Sequence, residues 1–303
     1  MDYGKLISRA VRITIRHRFL WLLGILAGGS GFNFSYSGDS GGDYTEPFPE
    51  VLQRALDWFS AHLYVAILLT VIFFLIFIFF IVISIMATGG LIASVAETER
   101  RQPVSFMAAM KAGYHAFWRL LGVGVLIALG IMSPIVFSAL PIVALVLGKH
   151  YLAAVAVGLL LLPIIIVVAI YLGLVLIYAQ RFAVVQAAGV ITSLTSAHHL
   201  LCSFKKEVLL VWLIAIALGM GITFASIVVI ILIALPSVAL GALIYTTLGL
   251  IPTLAFALIP ALVLLAAILL MTGISGAFRS SYWTLAHLDL TKISPPPLPQ
   301  PAA

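Results

Sequence analysis

The sequence predicts an all-α integral membrane protein: a polytopic transmembrane helical bundle of about six spans, arranged as three helical-hairpin repeats, with short amphipathic interfacial helices. Three observations lead there. Of 303 residues, 63% are hydrophobic and 9% charged, against roughly half and a quarter in soluble domains. Apolar runs at 63–97, 120–148, 151–180 and 208–278 carry no charge in their interiors, and each exceeds the roughly 20 residues a helix needs to cross hydrocarbon. The cations collect at alternate ends of these runs, as the positive-inside rule requires. Strands are excluded because the runs do not alternate polar with apolar residues, as a membrane barrel must. Helices satisfy their own backbone in lipid.

At the N-terminus, Lys5, Arg9, Arg12, Arg16 and Arg18 precede the apolar run 19–27 and the small residues Gly28, Gly29 and Ser30. That order also describes a secretory signal peptide. The helical spacing of the basic stretch instead favours a first span at 14–32, with Arg16 and Arg18 snorkelling toward the interface. Under either reading, residue 33 onward is outside. Residues 33–62 then form an acidic, Gly/Ser-rich outer loop followed by an amphipathic interfacial helix at 51–62. Asp39, Asp43 and Glu46 lack the ligand alternation of an EF-hand loop. Asn33-Phe34-Ser35 is formally a glycosylation sequon.

The next spans fall at 63–89, 120–147 and 151–179. Inside, 105–117 and 192–204 are expected as interfacial helices with Ser or Thr placed to cap them. The run 208–278 could hold three spans, but Lys205 and Lys206 precede it and Arg279 follows it. Both flanks belong on one side, so the number of crossings is even. Spans at 208–235 and 254–276 follow, joined by 236–253 as an outer hairpin or re-entrant segment broken by Pro236, Gly241, Gly249 and Pro252. With this topology all of the 16 Lys and Arg except Arg54 and Lys149 face the cytoplasm. Residues 1–290 make a single integral membrane domain, and 291–303 a disordered Pro-rich cytoplasmic tail. A repeat is visible where His17-Arg18-Phe19-Leu20-Trp21-Leu22-Leu23-Gly24 is laid over His115-Ala116-Phe117-Trp118-Arg119-Leu120-Leu121-Gly122.

Beyond Arg16 and Arg18 at the start of the first, the spans contain no charged residue; Glu97, Glu207 and Arg279 sit at their edges. This weighs against a proton- or sodium-coupled carrier. His198, His199 and Cys202 share helical spacing, but a metal site needs three or four converging ligands. The expected state is an interfacial helix bearing imidazoles and a buried, unmodified thiol. One cysteine precludes an internal disulfide framework. No Ser/His/Asp set and no phosphate-cradling glycine loop can be assembled, so no catalytic, cofactor or metal residues are assigned and no enzyme is expected. Nucleic acid is excluded as a partner because the basic residues flank apolar runs instead of forming a solvated face. Pro134, Pro141, Pro163 and Pro260 are the helix-break candidates, since broken helices can frame a transport site. Gly24 with Gly28, and Gly124 with Ala128, are small-residue pairs suited to close helix contact.

Two stretches carry a resemblance: Arg16-His17-Arg18-Phe19-Leu20-Trp21-Leu22-Leu23-Gly24, and Phe278-Arg279-Ser280-Ser281-Tyr282-Trp283-Thr284-Leu285-Ala286. They resemble an uncharacterised family of bacterial polytopic membrane proteins, similar to the membrane domain associated with glycerophosphodiester phosphodiesterases. Where the resembling motif continues Tyr-Arg, this chain has His287-Leu288. The resemblance implies the bacterial cytoplasmic membrane and no hydrolase activity, because the soluble catalytic domain of those fusions has no counterpart here. The expected function is a non-catalytic membrane component binding or organising a lipid or a partner protein, with the bilayer and a protein partner or second copy as its contacts. The alternative is a permease-like subunit for an apolar or amphipathic solute.

Overall fold

A computed structural model describes residues 2–28 and 62–293. The outer loop, the interfacial helix at 51–62 apart from its last residue, the sequon, Arg54 and the tail from 294 lie outside the described residues. Among those described there are eight helices and no strand: α1 (Tyr3–Arg16), α2 (Phe19–Ala27), α3 (Leu63–Glu99), α4 (Phe106–Leu147), α5 (Tyr151–Val185), α6 (Val190–Ser203), α7 (Lys205–Leu248) and α8 (Leu250–Ile293). The expected all-α polytopic bundle is the observed architecture. Helices α3, α4, α5, α7 and α8 are long and apolar enough to cross a membrane.

Helix α1 is amphipathic. Leu6, Ala10, Ile13 and Thr14 are buried, whereas Lys5, Arg12 and Arg16 are exposed. Asp2 caps it by accepting from the Lys5 backbone N–H at 3.1 Å. That hydrogen bond, with the Lys5 ammonium, holds the Asp2 carboxyl below its ordinary range. The chain breaks at His17 and Arg18 and re-enters helix as α2, whose Trp21 indole N–H donates to the Thr14 carbonyl at 2.8 Å. Within the expected first span, 14–32, the described helix is therefore α2, with nine residues. At 1.5 Å per residue that is about 14 Å, half of the ~30 Å hydrocarbon core.

The long helices exceed the bilayer. The 44 residues of α7 and of α8 correspond to about 66 Å each. The expected outer connector at 236–253 is corrected here. Helix α7 continues through Pro236, and the reversal is confined to Gly249, whose φ of +84° is left-handed. Beside Pro236 the Ser237 hydroxyl donates to the Ile233 carbonyl at 2.7 Å, an added donor in the turn that proline weakens. The expected interfacial helix at 105–117 is likewise corrected. Ser105 does cap it, accepting from Ala108 N–H at 3.2 Å, but the helix runs on unbroken to Leu147 as one 42-residue element. No proline follows Phe117 before Pro134. The short helix α6 is separate, but Gly189, not a Ser or Thr, occupies its N-cap.

The core sits at one end. Buried residues of α3 cluster from Ser84 to Ala96, those of α4 from Ala109 to Ile127, and those of α5 from Leu174 to Ala183. Helix α8 buries Ala277, Tyr282, Trp283, Leu285, Ala286 and Leu290. Helix α7 buries Val208 and Val211 at its start, and its Val211 carbonyl accepts from the Tyr282 hydroxyl at 2.9 Å. This packed end carries Arg9, Arg119, Arg181, Lys205 and Arg279, and we call it the basic end; Lys149 and Gly249 form turns at the far end. Toward the far end the helices bury little. From Leu63 to Phe80, α3 exposes every side chain but that of Ala66, a surface that lipid covers in a membrane-spanning helix.

Two backbone contacts hold the basic end together. A Cβ on Gly24 of α2 would stand 2.2 Å from the Gly273 carbonyl oxygen of α8, and one on Gly113 of α4 would stand 1.9 Å from that of Met86 in α3. Only glycine admits such approach. The Gly24 and Gly28 pair thus packs within the bundle: a Cβ on Gly28 would lie 3.1 Å from the Thr272 methyl. The second expected pair does not, since Gly124 has nothing within 4 Å.

Candidate functional site: an arginine-lined cavity at the basic end

Four helices meet at the basic end. Between α2, α3, α5 and α8 they leave a cavity of about 390 Å³, within the size range of ligand pockets. Gly24 and Gly28 from α2, and Gly173 and Gly276 from the longer helices, remove side-chain bulk from its wall. Leu91, Ile92, Leu176 and Ile177 supply apolar lining, and Thr88, Gln180, Ser275 and Ser280 polar groups. Arg181 and Arg279 both line it.

Arg181 is the unusual member, being 5% exposed. Its Nη1 donates to the Ile177 carbonyl one turn back along α5, while its Nε has no hydrogen-bond partner among the described residues. The carbonyls ending α5 attract cations through the helix dipole, and Arg119 from α4 reaches the same end, donating to the Ala183 carbonyl at 3.0 Å. What Arg181 lacks is a carboxylate. The acids Glu99 and Asp289 are both engaged by Arg9, whose guanidinium pairs with Glu99 and with Asp289 at 3.2 Å. Among the described residues neither Arg181 nor Arg279 forms an ion pair. Holding a guanidinium out of water without a counter-charge costs several kcal/mol, roughly, which is why an ionisable residue placed so is a functional candidate.

Beside Arg181 lies a layer of buried polar atoms set among aromatic rings. Tyr178 packs edge-on against Trp283 at 5.8 Å between centroids, and Phe182 against His287 at 4.6 Å. The Tyr178 hydroxyl, the Ser281 hydroxyl and both ring nitrogens of His287 have no hydrogen-bond partner among the described residues. His287 is fully buried.

The residues singled out in the sequence lie elsewhere. Pro134 and Pro141 sit inside α4, Pro163 inside α5 and Pro260 inside α8, each in a continuous helix and none on the cavity. Cys202 is exposed, a correction to the buried thiol expected. The Cys202 position on α6 faces outward from Ala197, Leu200 and Leu201, which take the buried face. His198 is hydrogen-bonded to the Tyr171 hydroxyl and lies 3.7 Å from the Cys202 sulfur. Among the described residues no three His, Cys, Asp or Glu converge. The sequence places Arg181 among the cations at the inner edge, and its burial has no signature in one sequence. The available signal was that Arg181 and Arg279 are each the first charge after an apolar run, and so stand at the same depth.

Fold and site define a polytopic, all-α membrane protein with a packed basic end. A family model described as a family of unknown function, DUF7544, matches residues 15–293, and the chain belongs to that family. No curated protein and no solved structure matches the chain.

Proposed function

We propose that this protein is a non-catalytic component of the bacterial cytoplasmic membrane, with both termini in the cytoplasm, that binds and organises anionic lipid at its basic end. The observation that carries this reading is the coincidence of packing and charge: the end where the helices pack is also the end where unpaired cations gather. Helix α1 adds a surface of exposed Lys5, Arg12 and Arg16 beside it, the character of a helix that lies on an anionic leaflet. Far from that end the apolar surface is general and suits acyl chains of any lipid. The permease alternative drew on proline-broken spans, and the described helices run unbroken through all four prolines.

The test is the lipid retained by full-length protein purified in mild detergent. Mass spectrometry of the extract should show anionic phospholipid enriched several-fold over the source membrane. A retained pool with the bulk composition would contradict the reading.

A further inference from the structure

We propose that the cavity between α2, α3, α5 and α8 is a discrete site for the phosphate group of one anionic phospholipid, with Arg181 as its buried anchor and Arg279 as the cation at its rim. The inference rests on the lipid-binding reading above and narrows it to one site and one headgroup chemistry. Three observations converge. Arg181 is nine-tenths buried, lines the cavity and has a donor atom with no partner, so an anion entering there removes an uncompensated charge. Arg181 and Arg279 end the uncharged stretches of their helices, which sets them at the boundary between hydrocarbon and headgroups, the depth of a lipid phosphate. The lining is mixed, with Gln180 and Ser280 next in sequence to the arginines and Leu91 and Leu176 adding apolar surface.

Guanidinium groups match phosphate oxygens through paired N–H donors, which a lysine cannot reproduce. A free phosphate ion would satisfy the arginines but leave the apolar wall uncovered. A phosphodiester carrying a glycerol and two acyl chains covers both, which is why a lipid is favoured over a soluble anion. The cavity volume of about 390 Å³ is enough for on the order of a dozen waters, room for a headgroup but not for whole acyl chains, which would leave between the helices.

The experiment uses the full chain in non-ionic detergent, titrated with phosphatidylglycerol, with zwitterionic phosphatidylcholine or with inorganic phosphate, and read by native mass spectrometry and thermal unfolding. The wild type should hold one phosphatidylglycerol against excess phosphatidylcholine and unfold at higher temperature with it. R181Q should weaken that binding at least tenfold, R279Q less, and R181K should recover part of it. Gly173→Phe keeps both arginines and fills space on the wall where glycine has no neighbour within 4 Å; it should also abolish binding, and it decides the matter if R181Q does not fold. Undiminished phosphatidylglycerol binding by R181Q and Gly173→Phe would overturn the site while leaving the general lipid reading intact. Failure of the wild type to retain any anionic lipid would overturn both. Equal stabilisation by millimolar inorganic phosphate alone would overturn the lipid as the source of the anion.

Discussion

A methyl group at Gly113 would occupy the space of the Met86 carbonyl, with backbone and not a flexible side chain in its path. Gly113→Ala must therefore push α3 and α4 apart, and overpacking of this kind costs about 1–3 kcal/mol. We expect a lowered unfolding temperature in detergent for Gly113→Ala and for Gly24→Ala, whose Cβ would meet the Gly273 carbonyl. Gly124→Ala, with open space around it, should leave the temperature unchanged or raise it slightly, because alanine is the better helix former. A similar fall for all three variants would remove the backbone crossings from the account. Ala187, between α5 and α6, holds a left-handed φ of +53° without being glycine. Ala187→Gly relieves a strain of roughly 1–2 kcal/mol, less the entropy of the freer glycine. The measured outcome should be a net stabilisation of up to about 1 kcal/mol. In a single sequence these glycines look alike: Gly24 and Gly124 each begin a small-xxx-small pair, and only the partner helix distinguishes them.

Helix α1 is held at the basic end by its buried Leu6, Ala10 and Ile13 and by Arg9, which bridges Glu99 of α3 and Asp289 of α8. Removing Arg9 leaves two carboxylates half-buried beside one another. Arg9→Ala should destabilise α1 docking by on the order of 1–3 kcal/mol, between the worth of exposed and buried ion pairs. Limited proteolysis should then cut α1 faster than in the wild type, and Arg9→Lys should restore protection in part, since a point charge cannot bridge two carboxylates as a fork does. Unchanged protection in Arg9→Ala would show that apolar packing alone holds the helix. At this scale the apolar runs made the long helices legible, including the separate hairpin of α7 and α8. Their ends were less so. Pro236 and Gly241 read as breakers, but in a segment with no charged residue the helix continues until Gly249 permits a reversal. The stretch from Phe106 to Phe117 carries Lys111 and several aromatics and reads as interfacial, yet no helix stop separates it from the span that follows.

For the whole molecule, composition and the distribution of charge made the all-α membrane class legible, because it follows from the cost of moving charge into hydrocarbon. The candidate site was not legible. A cavity forms where helices distant in the chain meet, and the burial of Arg181 depends on α2 and α8, neither of them adjacent to α5 in the chain. Its acids and bases also sort in three dimensions: Arg9 takes Glu99 and Asp289, 90 and 280 residues away, and so leaves the cavity's arginines without a carboxylate. Charge in excess of its internal partners is what lets a bundle bind an anion, and on this account the packed end of the protein is built around that excess.

The account stands on the basic end and the far end facing opposite sides of one bilayer. Single cysteines at Lys149, Arg101 and Lys205, introduced into a Cys202→Ser chain, test this directly through a membrane-impermeant maleimide applied to intact cells. Lys149→Cys should be labelled at once, and Arg101→Cys and Lys205→Cys only after the membrane is opened. Labelling of Lys149→Cys and Arg101→Cys from the same side would contradict the arrangement.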